Sequence, residues 1–469
     1  MVAIASITEC ISGVRVVAVL LCWALVACSA PSSEAEFEPD AESPYLLLFA
    51  GDEDEADSDF LAVIDLRPDS PDLGKAVATT LIDLKASMPH HMEYLLPPAG
   101  ELLFMNAHHH ERTLLVDVSE PRAPRVEKTF GPPAPFRFPH DYSRTPTGTR
   151  LVGFLRSEGD SPDPAETATP GNHGGIAEYT ADGVLLRTAS AAATSSTKPV
   201  RPYAFALLPD VDRLVVTSAP MMETTWADVV QIYRYSDFSL LETIDLPPGR
   251  LPDGREIEGS QQAGFGPRVL SDGSVFLNSY GCGFYRLSAI GSDNPRLDPV
   301  FALETPEVPQ PEPGWIRGSC GIPVVFENYW INPVGQLHAV IVLDIADPGR
   351  PREVFRLRTP ETFHPHWLAR DPLSNRLVLG AELGGEEGFY FLRFDPQTGR
   401  LSFDPAFEAD GQPGYLDLRN QSWPHGPSGP AWGHAALFLP GSGLHSDADG
   451  RADRHAADLS VRRTSWEVP

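Results

Sequence analysis

The sequence predicts an all-β chain: a seven-bladed β-propeller whose ring is closed by a C-terminal strand joining the N-terminal blade. Three observations carry that expectation. Short apolar runs of strand length recur from Tyr45 onward, among them YLLLFA (45–50), FLAVIDL (60–66), TLLVDV (113–118), RLVVTSA (213–219), AVIVLDI (339–345) and GFYFLRF (388–394). Each is bounded by Gly, Pro, Asp or Asn, as strands between turns are. Proline contributes 47 of the 469 residues, about twice the usual ~5%, and no run of ten or more residues holds a helical period. The runs also come in sets with a period of roughly 45 to 65 residues, near that of four-stranded blades.

The first 27 residues read as a leader rather than as fold. Arg15 precedes a short apolar stretch (16–27) ending in Leu25, Val26, Ala27 and Cys28. A stretch this short does not span a ~30 Å hydrocarbon core as a helix, and it matches the apolar region of a signal peptide. The Leu-Val-Ala-Cys ending resembles a bacterial lipobox. It implies cleavage before Cys28, lipidation of its thiol, and a protein held to a membrane of the cell envelope. Residues 28–43 are small, acidic and proline-containing, which suits a flexible tether.

The propeller is expected over 44–440. Strands in 45–86 supply the first blade, and six further units start near residues 90, 140, 203, 265, 320 and 365. The segments SEPRAPRV (119–126) and ADPGRPREV (346–354) read as one joint in two copies. GHAALFLP (433–440) is an isolated last strand, placed innermost in blade one because an open ring would leave edge strands unpaired. A loop over 157–175 and a polar tail over 441–469 fall outside the blades.

Charge narrows the functional classes. Against 64 Asp+Glu stand 36 Lys+Arg, a formal charge of −28. Nucleic-acid binding and a polybasic grip on lipid both need the opposite sign, so any membrane contact runs through Cys28. With the leader gone, Cys282 and Cys320 are an even pair in an oxidising compartment, open to either a disulfide or two buried thiols.

The histidines carry the chemistry. His90 and His91 open blade two, His140 opens blade three, His364 and His366 open blade seven, and His434 opens the closing strand. In a propeller the first strand of each blade lines the axis, and all start from one face. Blades seven, one, two and three are consecutive, so these side chains are expected on one arc of one channel mouth. Imidazole is the commonest metal ligand near neutral pH, and an all-imidazole set favours copper or zinc over magnesium or calcium. Tyr203, Phe265 and Trp367 sit at comparable positions and are expected as pocket walls. Asp141 could orient an imidazole or cap a turn. The run His108 to His110 falls in a turn and is read as a surface feature. No nucleophile elbow, phosphate loop, zinc-protease helix or dinucleotide fingerprint is present.

VDVSEPRAPRVEKTF (116–130), FPHD (138–141), GNHGGIAEYTADG (171–183) and GPAWGHAALFLPG (429–441) together resemble the selenium-binding protein family, which includes the bacterial methanethiol oxidases. The resemblance runs in order over about 45–440. It implies a seven-bladed propeller and a copper enzyme. The implied reaction takes methanethiol, dioxygen and water to formaldehyde, hydrogen sulfide and hydrogen peroxide. The implied ligands are His90, His91, His140 and His434. Where the family carries a cysteine just after its His-His pair, this chain reads Met92-Glu93-Tyr94-Leu95-Leu96, so a thiol for selenium is missing there. Two rival readings remain: a membrane-anchored propeller that binds a protein or carbohydrate without catalysis, and a metal-dependent propeller lactonase, whose site would rest on Glu, Asn and Asp.

Overall fold

A computed structural model describes residues 42–159, 173–192, 198–221, 226–306, 318–382 and 388–441. The leader, Cys28, most of the tether and the tail beyond residue 441 lie outside the described residues. Seven small antiparallel sheets form the ring of a seven-bladed β-propeller.

Blade two shows the common plan: Pro89–Met92, Leu103–Ala107, Arg112–Asp117 and Arg125–Phe130, ordered from the axis outward. Its inner strands are almost wholly buried, while the outermost is mostly exposed. A strand with neighbouring blades on both faces must be apolar on both, which is why the runs read as continuous rather than alternating. The seams are large side chains: Phe104, Tyr142 and Phe154 between blades two and three, and Phe276, Trp330 and Ile341 between blades five and six. The helical content of the described residues is two 3-10 turns, Pro209–Val211 and Gly335–Leu337.

The expected unit starts fall close to the inner strands that form, at Pro89, Phe136, Pro202, Arg268, Val324 and Pro365. Most of the expected loop over 157–175, residues 160–172, lies outside the described residues; the strands on either side of it, Arg150–Ser157 and Gly175–Tyr179, pair with each other in blade three. Ring closure is as expected. Ala431–Leu439 is the innermost strand of blade one and pairs with Tyr45–Asp52. Trp367 of blade seven reinforces the closure, its indole N–H donating to the Ala436 carbonyl at 3.1 Å.

This closure also fixes the two ends of the channel. Tyr45 pairs with Leu439 and Asp52 with Ala431, so the chain enters the ring at the far ends of the inner strands. Ser43 is clamped there: its N–H and hydroxyl donate to Asp371 at 3.0 and 2.6 Å, and Arg376 donates to its carbonyl at 2.6 Å. Asp371 follows the inner strand Pro365–Arg370, whose opposite end carries His366. Ser43 and the histidine cluster therefore lie toward opposite ends of the inner strands.

Candidate metal centre

Local backbone geometry sets two of the histidine strands. Met88 and Phe138 both adopt left-handed φ values, 52° and 57°, and each is followed by proline and then His90 or His140. Left-handed backbone is strained for such residues. Here it turns the chain sharply before the axis, and the proline that follows forces an extended approach. Blade three then carries a register shift between Pro139 and Tyr142, which spans His140.

The result is a cluster of buried imidazoles. His90 Nε2 lies 3.1 Å from His140 Nε2. One ligand atom from each of His90, His91 and His140 falls within 4.8 Å of the others. His434 stacks on His90 with ring centroids 4.4 Å apart, and His366 is 4.9 Å from His434. The expected arc is thus assembled from blades two, three, one and seven. Two assignments change. His364 is exposed and packs against His338, with centroids 4.7 Å apart, instead of joining the cluster. His108 is buried, with its ring 5.6 Å from that of His90, while only His109 and His110 are exposed. His108 directly follows Ala107, which pairs with Pro89, so the cross-strand neighbour of a ligand strand was the signal for it.

Electrostatics keep these rings neutral. Burial, then the neighbouring imidazoles, hold His90 and His91 well below the usual histidine range. His140 and His366 are likewise held well below it by burial first. Burial pushes His434 down to about 4 and His108 down to about 3. Neutral imidazole is the metal-binding form.

Several ring nitrogens have no protein partner. His90 Nδ1, both nitrogens of His91, His366 Nδ1 and His434 Nε2 are buried without a hydrogen bond. Buried polar atoms are normally satisfied, and each orphan costs about 1–3 kcal/mol. His434 Nδ1 lies 3.1 Å from the Ala381 carbonyl, so it carries the proton and leaves Nε2 as the lone-pair atom. Two ligands on one ion with bonds of ~2.0–2.1 Å stand about 3 Å apart, which is the His90–His140 spacing. The donor set and its orphaned atoms fit a bound metal ion.

Surrounding groups hold the cluster in place. Asn106 accepts the His91 N–H at 2.7 Å and donates to the Pro139 carbonyl at 2.8 Å, stapling two histidine strands together. Asp141 Oδ1 is 3.9 Å from His91 Nδ1. Burial raises the Asp141 carboxyl to about 6, against the pull of Tyr94 and Arg268. The three expected wall residues are all buried beside the imidazoles. Tyr203 is 4.2 Å from His140, Trp367 is 5.4 Å from His91, and Phe265 is 5.6 Å from His366, all between ring centroids. Partly buried Tyr94 and Tyr280 extend this wall, stacking on Trp367 and packing on Phe265.

Cys282 and Cys320 form a disulfide, with Cα atoms 5.2 Å apart, joining the blade-five turn to the approach of blade six. Neither offers a thiol. Glu93 and Arg150, beside the position where the resembled family carries its cysteine, form a buried ion pair at 3.0 Å.

No family model matches the chain, and no curated protein matches its sequence. Among solved structures the chain is similar to one named as a hypothetical selenium-binding protein from Sulfolobus tokodaii. The TM-score is 0.62 at 14% identity, over 84% of this chain and 93% of that one. It is also similar to a putative 6-phosphogluconolactonase from Bacteroides fragilis, with TM-score 0.54 at 12% identity over 81% and 98%. A third similar structure is the periplasmic gluconolactonase of Pseudomonas aeruginosa, with TM-score 0.52 at 16% identity over 81% and 99%. Likeness at these identities is likeness of fold.

Proposed function

We propose that this chain is a metal-dependent oxidoreductase acting on a small thiol, with copper held by His90, His91 and His140 and with His434 beside them at the same mouth. The observation that carries the reading is a set of neutral, buried imidazoles gathered within ligand reach of one another, several of whose nitrogens lack protein partners. Copper binds imidazole well and accepts mixed nitrogen and sulfur ligands, and when bound it supplies a one-electron couple and an affinity for thiol sulfur. The resemblance in sequence pattern points to methanethiol as substrate and dioxygen as oxidant.

The chain's own residues have definite tasks in this reading. Asn106 sets the spacing of the His91 and His140 backbones. Asp141 Oδ1, 3.9 Å from His91 Nδ1, is the nearest carboxylate to the triad and would orient that ring only by closing to hydrogen-bond distance when the metal binds. Tyr203, Phe265 and Trp367 exclude water and restrict the space beside the imidazoles, which favours a small apolar thiol over a bulky one. Burial raises the phenols of Tyr94 and Tyr203, so both stay protonated and can only donate or accept hydrogen bonds. The imidazole set does not favour a lactonase centre built on carboxylates and amides, and a purely scaffolding propeller leaves the orphaned nitrogens without a reason.

The test is metal analysis of protein purified without a histidine tag, with oxygen uptake on adding methanethiol. The expected result is about one tightly held copper per chain and methanethiol-dependent oxygen consumption, both lost in His140→Ala. Protein that takes up no copper on reconstitution overturns the reading.

A further inference from the structure

Among the described residues eight large hydrophobic side chains are exposed, and all but one lie toward the end of the ring remote from the histidines. The exception is Leu81. It pairs with Phe60, which pairs with Ala50, which pairs with Gly433 beside His434, so Leu81 stands level with the histidine mouth. Leu95 lies just past the far end of the inner strand Pro89–Met92, and Val354 near the far start of Arg352–Arg358. The other five gather on blades three and four. Val184 ends the turn before Leu185–Ser190, whose first two residues are Leu185 and Leu186; Val184 and Leu186 are 51% and 52% exposed. Val211 is in the turn after the inner strand Pro202–Leu208, and Leu241 is second in Leu240–Asp245. Strands alternate in direction along each blade, which puts all of these at the far end. The two blades are tied together there. Arg187 donates to the Ser236 carbonyl at 2.6 Å and covers the Phe238 ring at 3.8 Å, and Ser236 donates twice to Asp212, at 2.7 Å each. A gathering of exposed apolar side chains marks a contact surface.

The chain enters the ring at the same end, where Ser43 is held by Asp371 and Arg376. About 15 residues separate Ser43 from Cys28, the expected site of lipidation, and they reach at most roughly 50 Å. We propose that this end of the ring rests on the lipid bilayer, with Leu185, Leu186, Val211 and Leu241 set into the boundary between headgroups and acyl chains, so that the histidine mouth opens away from the membrane. A formal charge of −28 gives anionic lipid nothing to hold, so the contact is apolar and scales with buried apolar area. Blades three and four stand across the ring from blades one and seven, where Ser43 is clamped. Tether and patch are thus two separated contacts, and together they fix the tilt of the ring. The proposal is independent of the metal reading and uses Cys28 only for the tether.

The experiment places the full chain, expressed with its leader, on phosphatidylcholine vesicles with and without brominated acyl chains, which quench tryptophan at short range. Leu186→Trp and Leu81→Trp are compared with wild type, both substitutions being at exposed positions. The emission added at position 186 is expected to fall by about half or more on brominated vesicles and to stay quenched in about 1 M salt, while that added at position 81 is unchanged. Unquenched emission at 186, or quenching at 81 alone, overturns the proposal. Cys28→Ala in the Leu186→Trp chain separates the anchor from the patch. Weaker vesicle binding with the bound fraction still quenched upholds both, and unaltered binding with quenching upholds the patch and overturns the anchor. Sedimentation of Cys28→Ala without lipid, with and without Leu185→Asp and Leu186→Asp, tests the other occupant. A dimer that the two aspartates convert to monomer assigns the patch to a second copy and overturns the membrane contact.

Discussion

Asn106 accepts the backbone N–H of His91 at 2.7 Å while its own amide donates to the carbonyl preceding His140 at 2.8 Å, so one buried side chain sets the separation of two ligand strands. The same device recurs elsewhere in the ring. Asn278 of blade five accepts from Gly266 at 3.2 Å and donates to the Cys320 carbonyl at 3.0 Å. The two asparagines are structurally comparable, yet only Asn106 binds to the triad strands.

That pairing gives the first prediction. Asn106→Leu and Asn278→Leu should each lower stability, since each leaves backbone groups unpaired. Only Asn106→Leu should also weaken copper binding, by about 10- to 100-fold, as loss of an orienting partner does. Urea denaturation and copper competition on both variants check this. Equal stability losses with unchanged copper affinity would reduce Asn106 to a purely structural role.

His91 is buried with both ring nitrogens unpaired, so in metal-free protein it is a stability liability. His91→Leu should raise the unfolding free energy of chelator-treated protein by about 1 kcal/mol or more and abolish tight copper binding. A marked loss of stability in the metal-free variant would show that His91 is held by favourable contacts instead of being kept for a ligand.

Acid should destabilise the metal-free protein from about pH 6.5 downward, the ordinary histidine value. His90, His91, His108, His140, His366 and His434 all have depressed folded values, so below that pH the unfolded chain takes up protons that the folded chain refuses. Unfolding then binds protons, and stability falls as pH falls. The slope is at most about 1.4 kcal/mol per pH unit for each imidazole that stays neutral. Asp141 acts in the opposite sense, because its raised value makes the folded state bind the extra proton between about 4 and 6; burial raises Asp52 and Asp228 in the same direction, and these three carboxyls are outnumbered by the six imidazoles. Thermal denaturation from pH 8 to 5 measures this, and a flat midpoint across that range contradicts it.

The Cys282–Cys320 disulfide closes a 38-residue separation and links blades five and six, neither of which carries a triad histidine. Replacing both with alanine should cost about 4 kcal/mol on the loop-entropy account, with tight copper binding retained. Loss of the tight copper in a folded double variant would place the disulfide in the metal centre's support.

The blades were legible because neighbouring blades bury both faces of each inner strand, which forces apolar runs and leaves turn residues between them. The arc of His90, His91, His140, His366 and His434 was legible because propeller topology brings strand starts to one mouth. His364 could not be separated from His366 by sequence, because the strand begins only at Pro365 and is irregular between Pro365 and Trp367. His108 was hidden by its place in a run of three, where only the residue adjoining the strand turns inward. Asn106 carried no signal at all: a lone asparagine in an apolar strand has no pattern, and its role exists only across two blades.

The most direct test of the central claim is X-ray absorption at the copper edge on tag-free protein loaded with one equivalent. The account predicts a first shell of nitrogen at ~2.0 Å with the outer-shell pattern of three or more imidazoles, reduced by one imidazole in His91→Leu. A shell of oxygen or sulfur donors, or a spectrum that His91→Leu leaves unaltered, would contradict it.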